Sequence, residues 1–313
     1  MSPQPIVRPT AKPDGAAQTS AQLARMKRRH RPGKERSNIL TVALIACSLY
    51  FLLPLVWLII SSTKTNSGLF DSFGYAFSST FALFTNIGEV FSYGNGIFRQ
   101  WVINTVFYAG TSAVGAAALS TAAGYAFAKL RFPGGRIIFS GILGAIMIPA
   151  TALAIPTYLL FAQAGITNTP LSVILPSLVS PFGVYLMRVY AADAIPDSLI
   201  EAARIDGANE FRIFWVVGVR LMGPGIVTVF LFALVATWNN YFLPLIMLSS
   251  SNMYPLTVGL AQWQQQASGG GGTVPLFNLV ITGSFISVIP LVVAFLYLQR
   301  YWQTGLATGG VKG

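Results

Sequence analysis

The amino-acid sequence predicts an all-α integral membrane protein with six transmembrane helices. Hydrophobic residues make up 54% of the 313 residues, charged residues make up only 9%, and the mean hydropathy is +0.62. An average soluble domain has about 25% charged residues, so this composition excludes an ordinary soluble fold. A membrane-spanning helix needs about 20 mostly apolar residues. Six stretches meet that requirement, at roughly 38–61, 101–128, 137–162, 170–190, 221–249 and 276–300.

The distribution of basic residues predicts how these helices are oriented. Lysine and arginine collect on the cytoplasmic side of membrane proteins. If the N-terminus is cytoplasmic, eighteen of the twenty Lys and Arg residues lie inside, and only Lys64 and Arg99 lie outside. Both termini are therefore predicted to be cytoplasmic, the last residues, 301–313, forming a short tail. The net charge of +11 then reflects this orientation and contact with anionic lipid head groups.

Residues 1–37, ahead of the first predicted span, hold nine Lys and Arg residues and are rich in proline, alanine and glutamine. This composition predicts a disordered basic cytoplasmic tail. A nucleic-acid patch is an alternative for the run RMKRRHRPGKER, but basic residues beside a span routinely determine topology, so no nucleic-acid partner is expected. The chain has one cysteine, Cys47, and one histidine, His30. Neither has the partners that a metal site or a catalytic nucleophile requires, so no catalytic or metal-binding residue is predicted.

Small residues dominate the second predicted span, residues 101–128. Glycine, alanine, serine and threonine let helices approach closely in a bilayer, so we expect this helix to pack inside the bundle. Lining a transport pathway is the alternative. The preceding residues, 62–100, form the first predicted external segment. Prolines inside the predicted spans are expected to kink them, and they stand at positions 54, 149, 156, 176, 181, 224, 244 and 290.

The segment between the fourth and fifth spans, residues 191–220, is polar and holds five of the nine acidic residues of the chain. A segment of this kind must face water. Its sequence predicts a helix that begins either with Pro196 in the first turn or with a capping box between Ser198 and Glu201. Gly207 is expected to end the helix in the left-handed conformation that glycine adopts readily.

One face of this predicted helix carries residues at helical spacing, namely Leu199, Ala202, Ala203 and Asp206. The two alanines leave that face shallow enough for another surface to approach. Asn209 is expected to cap a second short helix that leads toward the fifth span. The predicted product is a helix that lies across the inner face of the membrane between two spans.

The sequence EAARIDGANEFRIFWVVGVRLMGP, at residues 201–224, resembles the EAA motif of ABC-importer permeases. The resemblance extends over nearly all of residues 38–313 and indicates the carbohydrate-uptake permeases of the maltose type. An EAA triplet alone occurs by chance, but an ordered set of matching segments on a six-span protein is specific. The resemblance implies the type I ABC-importer permease fold. The other matching segments are YAFAKLRFPGGR, IPTYLLFAQAGITNT, WNNYFLPL, YPLTVGLA and QRYWQTGLATGGVKG.

Two departures from the family pattern lead to structural expectations. The family commonly has Leu-Pro-Leu after the second loop helix, whereas Val219-Arg220-Leu221 stands here with Pro224 kept. The start of the fifth span is therefore expected to bend differently. The third external loop carries three glutamines, 264–266, and a glycine run, 269–272. We expect it to be longer or more mobile than in relatives.

The resemblance implies that the loop helix is a coupling helix seated in a cleft of an ATP-hydrolysing subunit, and that the contact involves Glu201, Ala202, Ala203, Asp206 and Gly207. It also implies a second permease subunit, two ATPase subunits and an extracellular binding protein as partners, in a bacterial cytoplasmic membrane. The chain has no G-x-x-x-x-G-K-[ST] phosphate loop, because Gly33-Lys34 is followed by Glu35. ATP and Mg²⁺ are therefore expected on the partner ATPase subunits. This chain is expected to hold no cofactor and to be a transport subunit rather than an enzyme.

Asn239 and Asn240 are the most polar residues of the otherwise apolar fifth span. They are candidates for contact with a sugar hydroxyl, and an interhelical hydrogen bond is the alternative. Arg188, near the end of the fourth span, is expected to extend to the membrane interface. An ion-coupled secondary transporter would ordinarily carry a carboxylate inside the membrane, whereas all nine acidic residues fall in predicted water-facing segments. The predicted function is sugar import as an ABC permease subunit, and an importer of another solute class is the alternative.

Overall fold

The structure, a computed structural model, describes residues 38–269 and 276–309. Within those ranges all regular structure is helical and there is no strand. The predicted basic tail, residues 1–37, lies outside the described residues. In chain order the helices are α1 (Asn38–Ser62), α2 (Asn66–Asp71), α3 (Leu83–Lys129), α4 (Gly135–Ile146), α5 (Ala150–Gln163), α6 (Pro170–Ser177), α7 (Pro181–Ala194), α8 (Asp197–Ile205), α9 (Glu210–Ile213), α10 (Val219–Leu221), α11 (Gly223–Trp238), α12 (Phe242–Met247), α13 (Leu256–Ser268) and α14 (Phe277–Gly309).

The chain divides into two compact units, residues 1–53 and 54–313. The described part of the first unit is the start of α1, whose side chains are mostly apolar and are exposed, as suits contact with lipid. The second unit holds the remaining helices. Its last helix, α14, continues to Gly309, so most of the predicted C-terminal tail, 301–313, extends the final helix instead of forming a separate segment.

Four helical stretches in the described ranges are long and apolar enough to cross a membrane, and two sharply bent helix pairs bring the number to six. The long stretches are α1, α3, the pair α6–α7 and α14. The bent pairs are α4–α5, which meet at 105°, and the helical segment 210–221 with α11, which meet at 78°. The six predicted spans thus correspond to six apolar units, two of which are broken.

The predicted spans 137–162 and 221–249 are each broken into two helices, a larger distortion than the kinks expected from their prolines. Pro149 precedes α5 with an extended backbone, ψ 126°, and α4 ends before it at Ile146 because proline cannot donate the next helical hydrogen bond. Pro181 and Pro224 likewise stand in the first turns of α7 and α11. These prolines start helices rather than kink them. Farther along, the chain leaves the helical path between Trp238 and Phe242.

Helix α3 lies at the centre of the second unit, in contact with α6, α7, α11, α13 and α14. Many of its small residues are buried, and at Gly124 they let α3 approach the backbone of α7 closely. A Cβ atom added to Gly124 would lie 2.5 Å from the Cβ of Met187, which is closer than real contacts allow. The prediction that the small-residue span packs inside the bundle is therefore confirmed.

The segment predicted to be external, residues 62–100, is partly helical, with irregular backbone at 72–82. It contains α2 and the first part of α3, which is interrupted where Gly94, Asn95 and Gly96 have φ of 58°, 60° and 77°. Lys64 is only 1% exposed, and its Nζ donates to the carbonyl oxygen of Phe73 at 2.9 Å. The charge of Lys64, one of the two basic residues predicted to lie outside, is therefore bound by carbonyl oxygens.

The middle of α3 holds the chain segment that follows α12 in place. Trp101 Nε1 donates to the carbonyl oxygen of Ser251 at 2.9 Å, and Tyr108 Oη donates to that of Met253 at 2.9 Å. Helix α13 comes next and includes the three glutamines 264–266. The three glutamines therefore belong to a helix, and residues 270–272 of the glycine run lie outside the described residues.

Candidate coupling site and membrane cavity

Helix α8 is the predicted loop helix, and its nine residues run from Asp197 to Ile205. Pro196 precedes the helix instead of standing in its first turn, and no side chain caps this end. Neither predicted start is therefore correct, because the capping box between Ser198 and Glu201 is not formed either. Asp197 occupies the first turn, where a carboxylate interacts favourably with the helix dipole.

The end of α8 has the geometry that the sequence predicts. Gly207 has φ +79°. Its N–H donates to the carbonyl oxygen of Arg204 at 3.0 Å, and the N–H of Ala208 donates to that of Ala203 at 3.0 Å. These two bonds form a Schellman motif, which requires the left-handed residue. Asn209 then caps α9 by accepting a hydrogen bond from the N–H of Arg212 at 2.8 Å.

An ion pair holds α8 at each end. Lys129 Nζ, at the end of α3, lies 2.7 Å from Asp197 Oδ1, and the Lys129 side chain is nearly buried. Arg204 Nε lies 2.7 Å from Glu210 Oε1, which connects α8 to α9 across the turn. The hydrogen bond from Lys129, and then its charge, hold the pKa of Asp197 below the ordinary aspartate value. The first pair connects α8 to α3, and the second connects α8 to α9.

The two sides of α8 differ in burial. Ile200 is 4% exposed and packs in an apolar cluster with Ile195 and Ile213. Ala203, one turn after Ile200, is half-buried against the same cluster. Glu201 and Ala202 are exposed. Of the predicted coupling residues, Ala203 therefore faces partly into the protein, because it shares a helix side with the buried Ile200 rather than with Ala202.

Exposed apolar side chains lie along α8 and at the start of α9, and among them Ile205 and Phe211 were not predicted from the sequence. Ile205 is 87% exposed, Leu199 and Phe211 are also exposed, and the Phe211 ring contacts Trp215 edge-on at a centroid distance of 6.2 Å. We call Leu199, Ala202, Ile205 and Phe211 the coupling surface. Exposed apolar groups beside charged ones are typical of protein interaction sites. The signal in the sequence is an isoleucine directly before the Asp-Gly terminus of a polar helix.

A cavity of about 550 Å³ lies where three helix breaks converge. The breaks are those between α4 and α5, between α6 and α7, and between α11 and α12. Most of its lining is apolar, and hydroxyl groups and one amide come from Thr151, Thr157, Ser177, Ser180, Thr237 and Asn240. A volume of this size and a few convergent polar groups are typical of small-molecule sites. Irregular backbone at membrane depth is tolerated where it lines such a cavity.

The two predicted pathway asparagines have different surroundings in the structure. Asn240 is half-buried and lines the cavity, and its Oδ1 accepts a long hydrogen bond, 3.4 Å, from the N–H of Leu243. Asn239 is exposed and does not line the cavity, and its Nδ2 donates to the carbonyl oxygen of Val235 at 3.0 Å. Each side chain therefore bonds within its own chain segment, which is not the interhelical hydrogen bond of the alternative interpretation.

Comparison with known proteins places these features in a family. Residues 120–306 match the model of the binding-protein-dependent transport system inner membrane component. The chain is 31% identical over 278 residues to the arabinooligosaccharides transport system permease protein AraQ of Halalkalibacterium halodurans, covering 88% of this chain and 97% of that protein. It is 29% identical over 288 residues to the lactose transport system permease protein LacG of Rhizobium radiobacter, covering 91% and 98%.

A solved structure has the same fold. It is described as the crystal structure of a bacterial ABC transporter involved in the import of the acidic polysaccharide alginate. The match has a TM-score of 0.72 at 22% identity and covers 84% of this chain and 95% of that one. The predicted all-α permease fold of an ABC importer is confirmed. This chain therefore belongs to the family of binding-protein-dependent transport system inner membrane components, the multi-pass permease subunits of ABC importers, which are transport components rather than enzymes.

Proposed function

We propose that this chain forms, with a second and different permease subunit, the translocation path for a sugar that an extracellular binding protein delivers. The observation that carries the proposal is the cavity at the three helix breaks, which combines apolar walls with hydroxyl groups and the Asn240 amide. Sugars offer hydroxyl groups to polar side chains and apolar ring faces to the walls. Relatives of nearly the full length are named for arabinooligosaccharide and lactose transport, which supports a sugar over another solute class.

The coupling surface is proposed to dock on an ATPase subunit, one of two in the complete transporter. Glu201, Ala202 and Asp206 are exposed beside the apolar side chains of that surface, and Gly207 fixes the end of the helix. ATP and Mg²⁺ are proposed to bind only to the ATPase subunits. Force applied to α8 would reach α3 through the Lys129–Asp197 pair and α7 through the cluster that holds Ile200 and Met187.

The proposed orientation has both termini in the cytoplasm of a bacterial cell. Residues 1–37 would form a basic tail against the inner leaflet, residues 62–100 an external segment, and residues 191–220 the cytoplasmic coupling loop. The distribution of Lys and Arg supports this orientation, because it places eighteen of the twenty on the inner side.

A reconstitution experiment tests the transport proposal. The chain is placed in proteoliposomes with its second permease, its ATPase and its binding protein, and uptake of labelled oligosaccharides is measured. We expect uptake that requires ATP and stops with vanadate. Uptake by the chain alone, driven by a proton or sodium gradient, would instead establish a secondary transporter.

A pair of variants tests the cavity. Asn240→Leu should reduce sugar uptake about tenfold, because a half-buried amide that binds a hydroxyl group contributes about one factor of ten. Asn239→Leu is the matched control, since Asn239 does not line the cavity, and it should transport normally. ATP hydrolysis stimulated by the binding protein should persist in both variants. Equal uptake by Asn240→Leu and the unchanged protein would remove this cavity from the path.

A further inference from the structure

A second cavity, of about 450 Å³, lies between the end of α3, the start of α4 and the middle of α7. Three arginines line it, Arg131, Arg136 and Arg188. No acidic residue contributes to the lining. In the part of the chain that the structure describes, the ion pairs within 4 Å are Lys129–Asp197 and Arg204–Glu210. The three guanidinium groups of this cavity therefore have no carboxylate partner among the described residues.

The carboxylate of Asp197 does not neutralise this cluster. Arg131 is near enough to help lower the pKa of Asp197, but the hydrogen bond and the charge of Lys129 are the larger causes. That carboxylate lies 2.7 Å from Lys129 Nζ, and Asp197 is not part of the cavity lining. The local positive charge therefore remains available to another anion.

Arg188 is held in position at the wall of the cavity. It is half-buried, and its guanidinium carbon lies 4.1 Å from the centroid of the buried Phe139 ring. This stacking orients the planar group while its N–H groups remain donors. A guanidinium partly removed from water without a counter-charge costs free energy. An anion bound in the cavity would offset that cost.

The start of α4 adds donors to the same cavity. Gly135 and Arg136, the first two residues of this twelve-residue helix, line the cavity, and no side chain caps the helix there. The Ser140 hydroxyl also lines it. The N–H of Gly135 makes a long hydrogen bond, 3.4 Å, to the carbonyl oxygen of Phe132, so the N–H groups that follow it and the positive end of the helix dipole are what favour phosphate. The arginine fork is the side chain that binds phosphate with two parallel hydrogen bonds.

We propose that this arginine cavity binds the phosphate group of an anionic ligand. The start of α4 exposes Ile137 and Ile138 directly beside the cavity, and basic pockets between membrane helices bind phospholipid head groups. A phosphatidylglycerol-type lipid would place its phosphate at Arg188 and its acyl chains along the apolar side of α4. Free phosphate from the cytoplasm shares the same chemistry, and the experiment below separates the two sources.

Native mass spectrometry of the complete transporter tests this proposal. The transporter is delipidated in detergent and titrated with phosphatidylglycerol or with phosphatidylcholine of the same acyl chains. We expect selective retention of phosphatidylglycerol. Arg188→Gln should weaken that retention about tenfold, since one bidentate charged interaction contributes about one factor of ten. Arg188→Lys keeps the charge without the planar fork, so its retention of phosphatidylglycerol should lie between that of the unchanged protein and that of Arg188→Gln.

Two further variants show whether a loss of lipid retention comes from the cavity itself. The alternatives are a lower overall positive charge and misfolding. Arg136→Gln changes an exposed side chain of the cavity and should also weaken retention with an unchanged unfolding midpoint. Arg220→Gln removes an exposed cytoplasmic-side arginine of α10 that is not part of the cavity, and it should retain the lipid fully. Displacement of the lipid by millimolar inorganic phosphate would identify free phosphate as the source.

Equal retention of both lipids, or retention by Arg188→Gln equal to that of the unchanged protein, would overturn the phosphate site. Because retention is measured without transport, that result would leave the proposed sugar-import function intact.

Discussion

Gly207 is the residue at which the coupling loop depends most on a single backbone conformation. A Cβ added there would meet no atom within 4 Å, so the positive φ of +79° alone restricts the position. A β-branched residue in that region costs about 1–3 kcal/mol. The Schellman bonds from Gly207 and Ala208 would be lost first, and with them the orientation of Ile205 on the coupling surface.

We predict that Gly207→Val inserts in the membrane and pairs with the second permease, yet binds the ATPase several-fold more weakly and transports correspondingly less. Gly207→Asn is the matched control, because asparagine tolerates the left-handed conformation, and it should keep most activity. Co-purification of the ATPase and vanadate-sensitive uptake measure the two effects. Normal ATPase binding and uptake by Gly207→Val would show that this corner does not position the coupling surface.

The Lys129–Asp197 pair has a defined pH dependence. The hydrogen bond and charge of Lys129 lower the pKa of Asp197 below its ordinary value of 3.8. A carboxyl group with a lowered pKa stabilises the fold above its ordinary pKa, and this contribution is lost as the pH falls through the lowered value. Asp197 is well exposed, so the effect on stability is modest.

We expect the unchanged protein to have a higher unfolding midpoint than Asp197→Asn, by a margin that stays constant from about pH 8 to about pH 5 and shrinks below about pH 4. Thermal unfolding of the purified transporter across this range measures the difference. A margin that persists undiminished to pH 3 would mean that the ion pair is not its source.

At the scale of the element, α8 has one side held by the protein and one side open to a partner. Ile200 anchors the inner side among buried residues, and Ala203 lies beside it. Ala202 is exposed on the other side. The adjacent alanines Ala202 and Ala203 therefore have different surroundings. A bulky charged side chain substituted at each position should have a different effect.

We predict that Ala202→Arg leaves the folded protein abundant and blocks ATPase docking, whereas Ala203→Arg lowers the amount of folded protein because it forces a charge toward the apolar cluster. Ile200→Ala should destabilise the loop by about 2–5 kcal/mol through loss of a buried side chain. Membrane yield and ATPase co-purification are measured for all three. Identical behaviour of the two arginine variants would contradict the division of α8 into two sides.

At the scale of the whole molecule, the orientation of the chain decides which loops meet which partners. In a Cys47→Ser background, single cysteines at positions 30, 134 and 208 should resist an impermeant thiol reagent in intact cells. Cysteines at positions 75 and 268 should react. This result follows from the proposed orientation, which places eighteen of the twenty basic residues inside. Labelling of position 208 from outside would invert the topology and remove the coupling surface from the cytoplasm.

The sequence by itself determined what depends on composition and on neighbours along the chain. Apolar content and basic residues defined the class and the six apolar units, because partition into a bilayer acts on each segment separately. The left-handed Gly207 and the Asn209 cap were predictable because the hydrogen bonds involved span only a few residues. The EAA segment identified the family, and the comparisons confirmed it.

Only the tertiary structure decided what depends on segments far apart in the chain. Lys129 and Asp197 are 68 positions apart, and the Ala203 side of α8 is buried only because Ile200 finds an apolar cluster built from other helices. The helix breaks beside Asn240 and Pro149 persist because they face a shared cavity, where irregular backbone avoids lipid. Packing between remote helices, rather than local preference, separated Asn240 from Asn239 and placed Arg188 over Phe139.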